Sequence, residues 1–224
     1  MWTEELQLKN MKIVADKGLW YRAVAFDFET KVLKLDEFLT GEIILGVSLA
    51  RRVSSGEIEK EIIILDDESD EGELELLRKL DKILLQWKPL LIIGYFCRDY
   101  DLPLLSCKKQ KYKLLGHKLW GITNIINGAL HIELADLSRY TLDKKYQESR
   151  GYRSMEIVMD HEHFSELPFI NTKKLIRTSR ETKGLDIYNS WKNKDPKYQK
   201  YLEAEAHDQL LIAEKIRDTE FKLV

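Results

Sequence analysis

The sequence predicts an α/β fold: a mixed sheet whose first strands are antiparallel, with helices on both faces. Three observations carry that expectation. Three short apolar, β-friendly runs follow one another between residues 23 and 65. A Ser54-Ser55-Gly56 turn joins the second run to the third, as in an antiparallel hairpin. Beyond residue 66 helical and strand patterns alternate, which brings the later strands in through crossover helices.

The elements follow in order. Residues 4–15 suit a helix ending at Lys17-Gly18, or an added arm over residues 1–20. AVAFDF (23–28), EIILGVSLARR (42–52) and EIIIL (61–65) read as strands. Asp70 with Glu73 three residues on has capping-box spacing, and Leu76, Leu77, Leu80, Ile83, Leu84 and Trp87 recur at helical spacing. The acidic run 66–71 is then a solvated helix start that complements the dipole. Pro89 stops this helix, and LLII (90–93) is a short buried strand. Residues 101–113 should form a helix with Pro103 in its first turn and Asp101 as its N-cap. ALHIEL (129–134) is a further strand, 155–159 a short helix, and Asp195-Pro196 opens a long helix to about residue 218. Residues 1–224 are expected to form a single domain with its core over 21–222.

Composition narrows the function classes. Lys and Arg number 36 against 38 Asp and Glu, so binding through bulk positive charge is excluded. No apolar run approaches the roughly 18 residues of a membrane span, and the start MWTEELQLKN has no apolar signal stretch. A soluble, cytoplasmic protein is expected. Cys97 and Cys107 are too few for a disulfide framework or a complete zinc site. They read as buried small hydrophobes.

Asp27-Phe28-Glu29-Thr30 is the sharpest feature, because it ends an apolar strand. Alternate residues share a face, so Asp27 and Glu29 point the same way. Two like charges leaving an apolar run either open a surface turn or share a divalent cation that offsets their repulsion and desolvation. A second string, GYFCRDYDLPLL (94–105), follows another buried strand and places Asp101 at a helix start. The third feature is Asp208, in a late helix within AEAHDQLL (204–211), on a face with Ala204, Leu211 and Ile212.

AFDFET, then GY-x5-DLPLL, then a late helical Asp resemble the three motifs of the DEDD superfamily of 3′–5′ exonucleases, which have a ribonuclease H-like fold. The likeness is nearest to the proofreading exonuclease domain of family B DNA polymerases and covers about residues 21–222. His131-Ile132-Glu133-Leu134 is similar to that family's strand between its second and third motifs. The resemblance implies a stand-alone exonuclease acting on the 3′ end of DNA, single-stranded for preference. It implies Asp27, Glu29, Asp101 and Asp208 as catalytic and metal-binding residues, holding two Mg²⁺ or Mn²⁺ ions in a two-metal mechanism.

The chain departs from that pattern at two places. The superfamily sets a Tyr four residues, or a His five residues, before its last Asp; here those positions are Ala204 and Glu203. Tyr201 and His207 are the remaining candidates for activating water. Tyr201-x3-Glu205 keeps the Tyr spacing with Glu in place of Asp, but Asp208 is preferred because LLIAEKI continues the family's helical pattern. Phe96 stands where the polymerase motif has Asn.

Phe28, Thr30, Phe96, Lys108, Lys109 and Lys111 are candidates for contacting nucleic acid. Lys173, Lys174, Arg177, Arg180 and Lys183 form a second basic stretch; each basic group is otherwise an ordinary solvated face. Asp160-His161-Glu162-His163 reads as a loop, because no third ligand is evident. Two alternatives stand beside the exonuclease. One is a catalytically impaired nucleic-acid or partner-binding module of the same fold, to which the missing Tyr or His points. The other is a ribonuclease or structure-specific endonuclease using the same metals.

Overall fold

The computed structural model describes residues 4–31, 39, 41–141, 155–170, 176 and 183–219. Five strands form one sheet: β1 (Ala23–Lys31), β2 (Ile43–Arg52), β3 (Ile58–Ile64), β4 (Leu91–Gly94) and β5 (Leu130–Glu133). Their order is β3-β2-β1-β4-β5. β1, β2 and β3 are antiparallel neighbours, while β4 and β5 run parallel to β1. This is the mixed sheet of a ribonuclease H-like arrangement, as the sequence predicts.

Helices cover both faces. α1 (Glu4–Asp16) precedes the sheet; α2 (Asp70–Trp87) joins β3 to β4. α3 (Leu102–Leu114) and α4 (Trp120–Gly128) join β4 to β5. α5 (Leu134–Thr141), α6 (Met155–Met159), α7 (Lys183–Lys192) and α8 (Pro196–Asp218) follow.

The two-residue period of β1 sorts its side chains between two apolar layers. Val24, Phe26 and Phe28 pack with α2, α3 and α4. Ala23 and Ala25 pack with α1, α5, α6 and the second half of α8. Asp27 and Glu29 continue this second face, so the alternation that buries alanines carries two acids onto α8. Residues 23–26 are fully buried, so the strand is covered on both sides. α1 belongs to this second layer through Leu8, Met11 and Val14, and its Gln7 Oε1 accepts the Glu133 backbone N–H at 2.7 Å. Gly18, at φ +67°, ends the helix in the left-handed conformation that favours glycine.

Three local expectations need correction. Ser69, not Asp70, caps α2: its hydroxyl accepts the Gly72 N–H at 3.0 Å. Asp101 makes no capping bond at the start of α3, because a π-helical turn (Cys97–Asp101) leads into that helix and Asp101 already has helical dihedrals. α4, α5 and α7 lie where the sequence suggested no helix. α4 is short and rich in Ile, Asn and Gly, without a capping side chain; its Ile122 N–H is instead received by buried Asp81 at 2.9 Å.

Candidate functional site

Asp27 and Glu29 approach α8, and two neutral donors on that helix meet them. Gln209 Nε2 donates to Asp27 Oδ1 at 2.9 Å, and the buried Tyr201 hydroxyl donates to Glu29 Oε1. Tyr201, Glu205 and Gln209 are spaced four residues apart, one row along the helix. All three are buried. α8 sits tightly on the sheet here because Gly46, opposite Glu29 on β2, has no side chain. A Cβ at Gly46 would stand 2.6 Å from the Tyr198 hydroxyl. The Tyr198 hydroxyl is held well above its usual range by burial first and by the charges of Glu29 and Asp27 second.

β4 ends in a sharp turn. A Cβ at Gly94 would stand 2.3 Å from Cys97 Cβ and 3.2 Å from the Phe26 carbonyl oxygen, so only glycine lets the π-helical turn fold back on β4. Phe96, at φ +66°, completes the reversal. Glu133, at the end of β5, clamps it: Oε1 accepts the Phe96 N–H at 2.6 Å and Oε2 the Arg98 N–H at 3.1 Å. Cys97 lies beneath, and burial, then the charges of Glu133, Asp101 and Asp27, push its thiol well up. Gly94→Ala is expected to destabilise the chain by about 1–3 kcal/mol through overpacking. A urea midpoint unchanged from wild type would show that the turn has slack.

Asp208 is engaged elsewhere. Its Oδ1 accepts the Ile170 N–H at 3.0 Å and lies 2.8 Å from His207 Nδ1. It ties the 155–170 segment to α8. His207 is accordingly a neighbour of Asp208 and not a group aimed at β1. Tyr201 does reach the acids, but with its proton directed to Glu29.

The four-acid metal centre therefore needs correction. Among the described residues, no group of three or more His, Cys, Asp or Glu could hold a metal ion. Asp27 and Asp101 both act on the Cys97 thiol, yet lying within reach of one another's field is weaker than converging on a cation. A pair of Mg²⁺ or Mn²⁺ ions needs oxygen ligands gathered around a common point, and no such grouping is found among the described residues. This absence argues against the active two-metal exonuclease site that the resemblance implied. Gln209, Tyr201 and the Ile170 amide each bond one oxygen, on Asp27, Glu29 and Asp208 in turn.

The candidates for nucleic-acid contact fare unevenly. Phe28 is buried, edge-on to Phe26 at 4.5 Å, and offers no face for a base. Thr30 Oγ1 bonds the Tyr100 hydroxyl at 2.6 Å. Phe96 packs edge-on against Tyr95 at 5.2 Å. Lys108 is buried, its ammonium 2.7 Å from Glu73 Oε1 and bonded to the Glu42 carbonyl. Lys111 pairs with Asp70 at 2.6 Å and Glu73 at 3.2 Å, while Lys109 remains partly exposed. Lys173, Lys174, Arg177 and Arg180, and the side chain of Lys183, lie outside the described residues. His161 and His163 form a turn whose partners are local backbone and Thr219.

Sequence reasoning missed Gln209 and Glu42. The four-residue row Tyr201-Glu205-Gln209 was the available signal for the first. Glu42 closes a network with Tyr100 and the Leu39 N–H that no local pattern announces.

No protein-family model and no curated protein matches the chain. Among solved structures it is similar to a family B DNA polymerase from the hyperthermophilic archaeon Pyrobaculum calidifontis, at 16% identity and a TM-score of 0.51. The match covers 87% of this chain and 24% of that polymerase, so the chain spans about a quarter of the protein it resembles. At that identity the likeness shows the fold alone: a distant structural similarity consistent with a ribonuclease H-like arrangement.

Proposed function

We propose that the chain is a non-hydrolytic nucleic-acid-binding module built on a ribonuclease H-like fold. One observation carries the loss of hydrolysis: among the described residues no group of three or more His, Cys, Asp or Glu could hold a metal ion. The bonds from Gln209 to Asp27 and from Tyr201 to Glu29 instead tie α8 to the sheet and add rigidity to that contact. The choice of ligand draws support from the fold neighbour, a DNA polymerase. Among the described residues no helix is long and apolar enough to cross a bilayer.

The test incubates the protein with a 5′-labelled oligonucleotide and Mg²⁺ or Mn²⁺. Full-length product is expected under both metals, with a retarded complex on a native gel. A ladder that disappears in Asp27→Ala would overturn the reading, and so would the absence of any complex at low salt.

A further inference from the structure

A cleft of about 520 Å³ opens at the opposite end of the sheet from Asp27 and Glu29. Arg22 enters β1, Pro89 and Leu90 enter β4, and Gly128 closes α4 just before β5; all line this cleft. Because β1, β4 and β5 are parallel, these residues mark the strands' starting ends, whereas the acids lie toward the finishing ends. Five residues of strand separate Arg22 from Asp27, roughly 16 Å. The volume lies within the range of about 300–1,000 Å³ usual for small-ligand sites.

The lining has a definite chemistry. Arg22 and Lys88 supply two cations, and among the described residues no carboxylate lines the cleft or pairs with either. Arg22 Nε donates to the Lys88 carbonyl at 2.7 Å, which fixes the guanidinium at the wall. Asp81 lies under α4, but it is buried and receives the Ile122 N–H. Asn124 and Asn127 add exposed amides, able both to donate and to accept. Leu85 gives an apolar wall and is 41% exposed.

Trp120 stands one helical turn before Asn124 on the same side of α4, and is 58% exposed. Close packing brings α4 onto this wall: a Cβ at the adjacent Gly121 would stand 3.1 Å from the Leu85 backbone nitrogen. The cleft's amides and two cations, with the Trp120 indole outside its lining but one helical turn from Asn124, match three parts of one ligand. The cations meet a phosphate, the amides a base edge, and the indole or Leu85 the face of a base.

We propose that this cleft binds a nucleoside phosphate unit, either a free nucleotide or one nucleotide of a single strand. The proposal rests on the nucleic-acid reading above for the second source only. Fluorescence anisotropy of labelled oligo-dT at low salt, and ¹H–¹⁵N NMR titration with dTMP, separate the two sources. Trp120→Ala and Asn127→Asp alter exposed side chains and leave the core intact. Each is expected to weaken binding about tenfold, the first by removing a stacking surface and the second by adding an anion. Shifts on dTMP addition should concentrate at the Trp120 indole and the Asn124 and Asn127 amides.

Oligo-dT binding unchanged in both variants, with no dTMP shifts at the Trp120 indole or the Asn124 and Asn127 amides, would overturn the cleft while sparing the module reading. Shifts with dTMP but no binding of oligo-dT would sustain the cleft and overturn the module reading. Neither ligand binding would overturn both.

Discussion

Replacing Lys108 by methionine is expected to destabilise the folded chain by about 3–5 kcal/mol. Lys108 and Glu73 form an ion pair at 2.7 Å whose side chains are each only 4% exposed. Methionine fills much of the space but leaves the Glu73 carboxylate buried. Its remaining partners are Tyr112, whose hydroxyl donates to Oε2 at 2.8 Å, and Lys111 at 3.2 Å. The same ammonium bonds the Glu42 carbonyl, and Glu42 in turn receives the Tyr100 hydroxyl, which also bonds Thr30. One substitution thus unsettles a polar network running from α2 through α3 to the end of β1. Urea unfolding measures the effect as a lower midpoint at unchanged slope. A Glu73→Gln change in the same chain should restore part of the loss, because it removes the stranded charge. A loss below about 1 kcal/mol together with weaker oligonucleotide binding would instead restore Lys108 as a phosphate contact.

Lys108 also shows where sequence reading stops. Lys108, Lys109, Lys111 and Lys113 look alike along the chain, yet α3 turns Lys108 into the core and leaves Lys113 exposed. Only the position of Glu73, 35 residues earlier, decides that difference. The sheet was far more legible. Period-two alternation predicted that Asp27 and Glu29 share a face, and the antiparallel opening followed by parallel strands agrees with the observed order.

The last helix was legible as a helix but not in its orientation. The consecutive residues Leu210, Leu211 and Ile212, each about 100° further around α8, are all buried, so no single apolar stripe singles out the face turned to β1. Side-chain type favoured Asp208, which lies two turns after Tyr201 on nearly the same face; what separates them is their partners, Ile170 and His207 for Asp208 but Glu29 and Asp27 for Tyr201 and Gln209. Strand alternation thus placed the acids of β1 on one face, while the metal pair that the resemblance implied for them finds no supporting cluster among the described residues. A glutamine amide and a tyrosine hydroxyl meet two of the carboxylates, and a shared fold need not carry a shared chemistry.

Stability is expected to fall by roughly 3 kcal/mol as pH rises from below 4.5 to above 7, with Glu133 as the source. Burial pushes its carboxyl up to about 7, against the backbone N–H groups of Phe96, Arg98 and Ala135, which pull it down. The unfolded chain ionises this group near the ordinary 4.5. Between the two values the native state holds a proton that the unfolded state has released. The stabilisation is therefore complete at the acid end, fades as pH passes through about 7, and changes no further above it. Thermal melts from pH 4 to 8 read this as a declining midpoint, by roughly 6–12 °C for a chain of this size. Other buried carboxyls titrate too, so the wild-type curve alone does not assign the slope. Glu133→Gln does: it holds the site neutral at every pH, and its midpoint should be flatter between pH 5 and 7. Its overall stability should drop as well, because an amide can no longer accept the Phe96 and Arg98 N–H groups with both its heavy atoms. Parallel wild-type and variant curves would mean that Glu133 is charged throughout, held by its three amide donors more strongly than burial opposes them. The turn over Cys97 would then be clamped by an anion at all working pH values, and the loosening expected near neutrality would not occur.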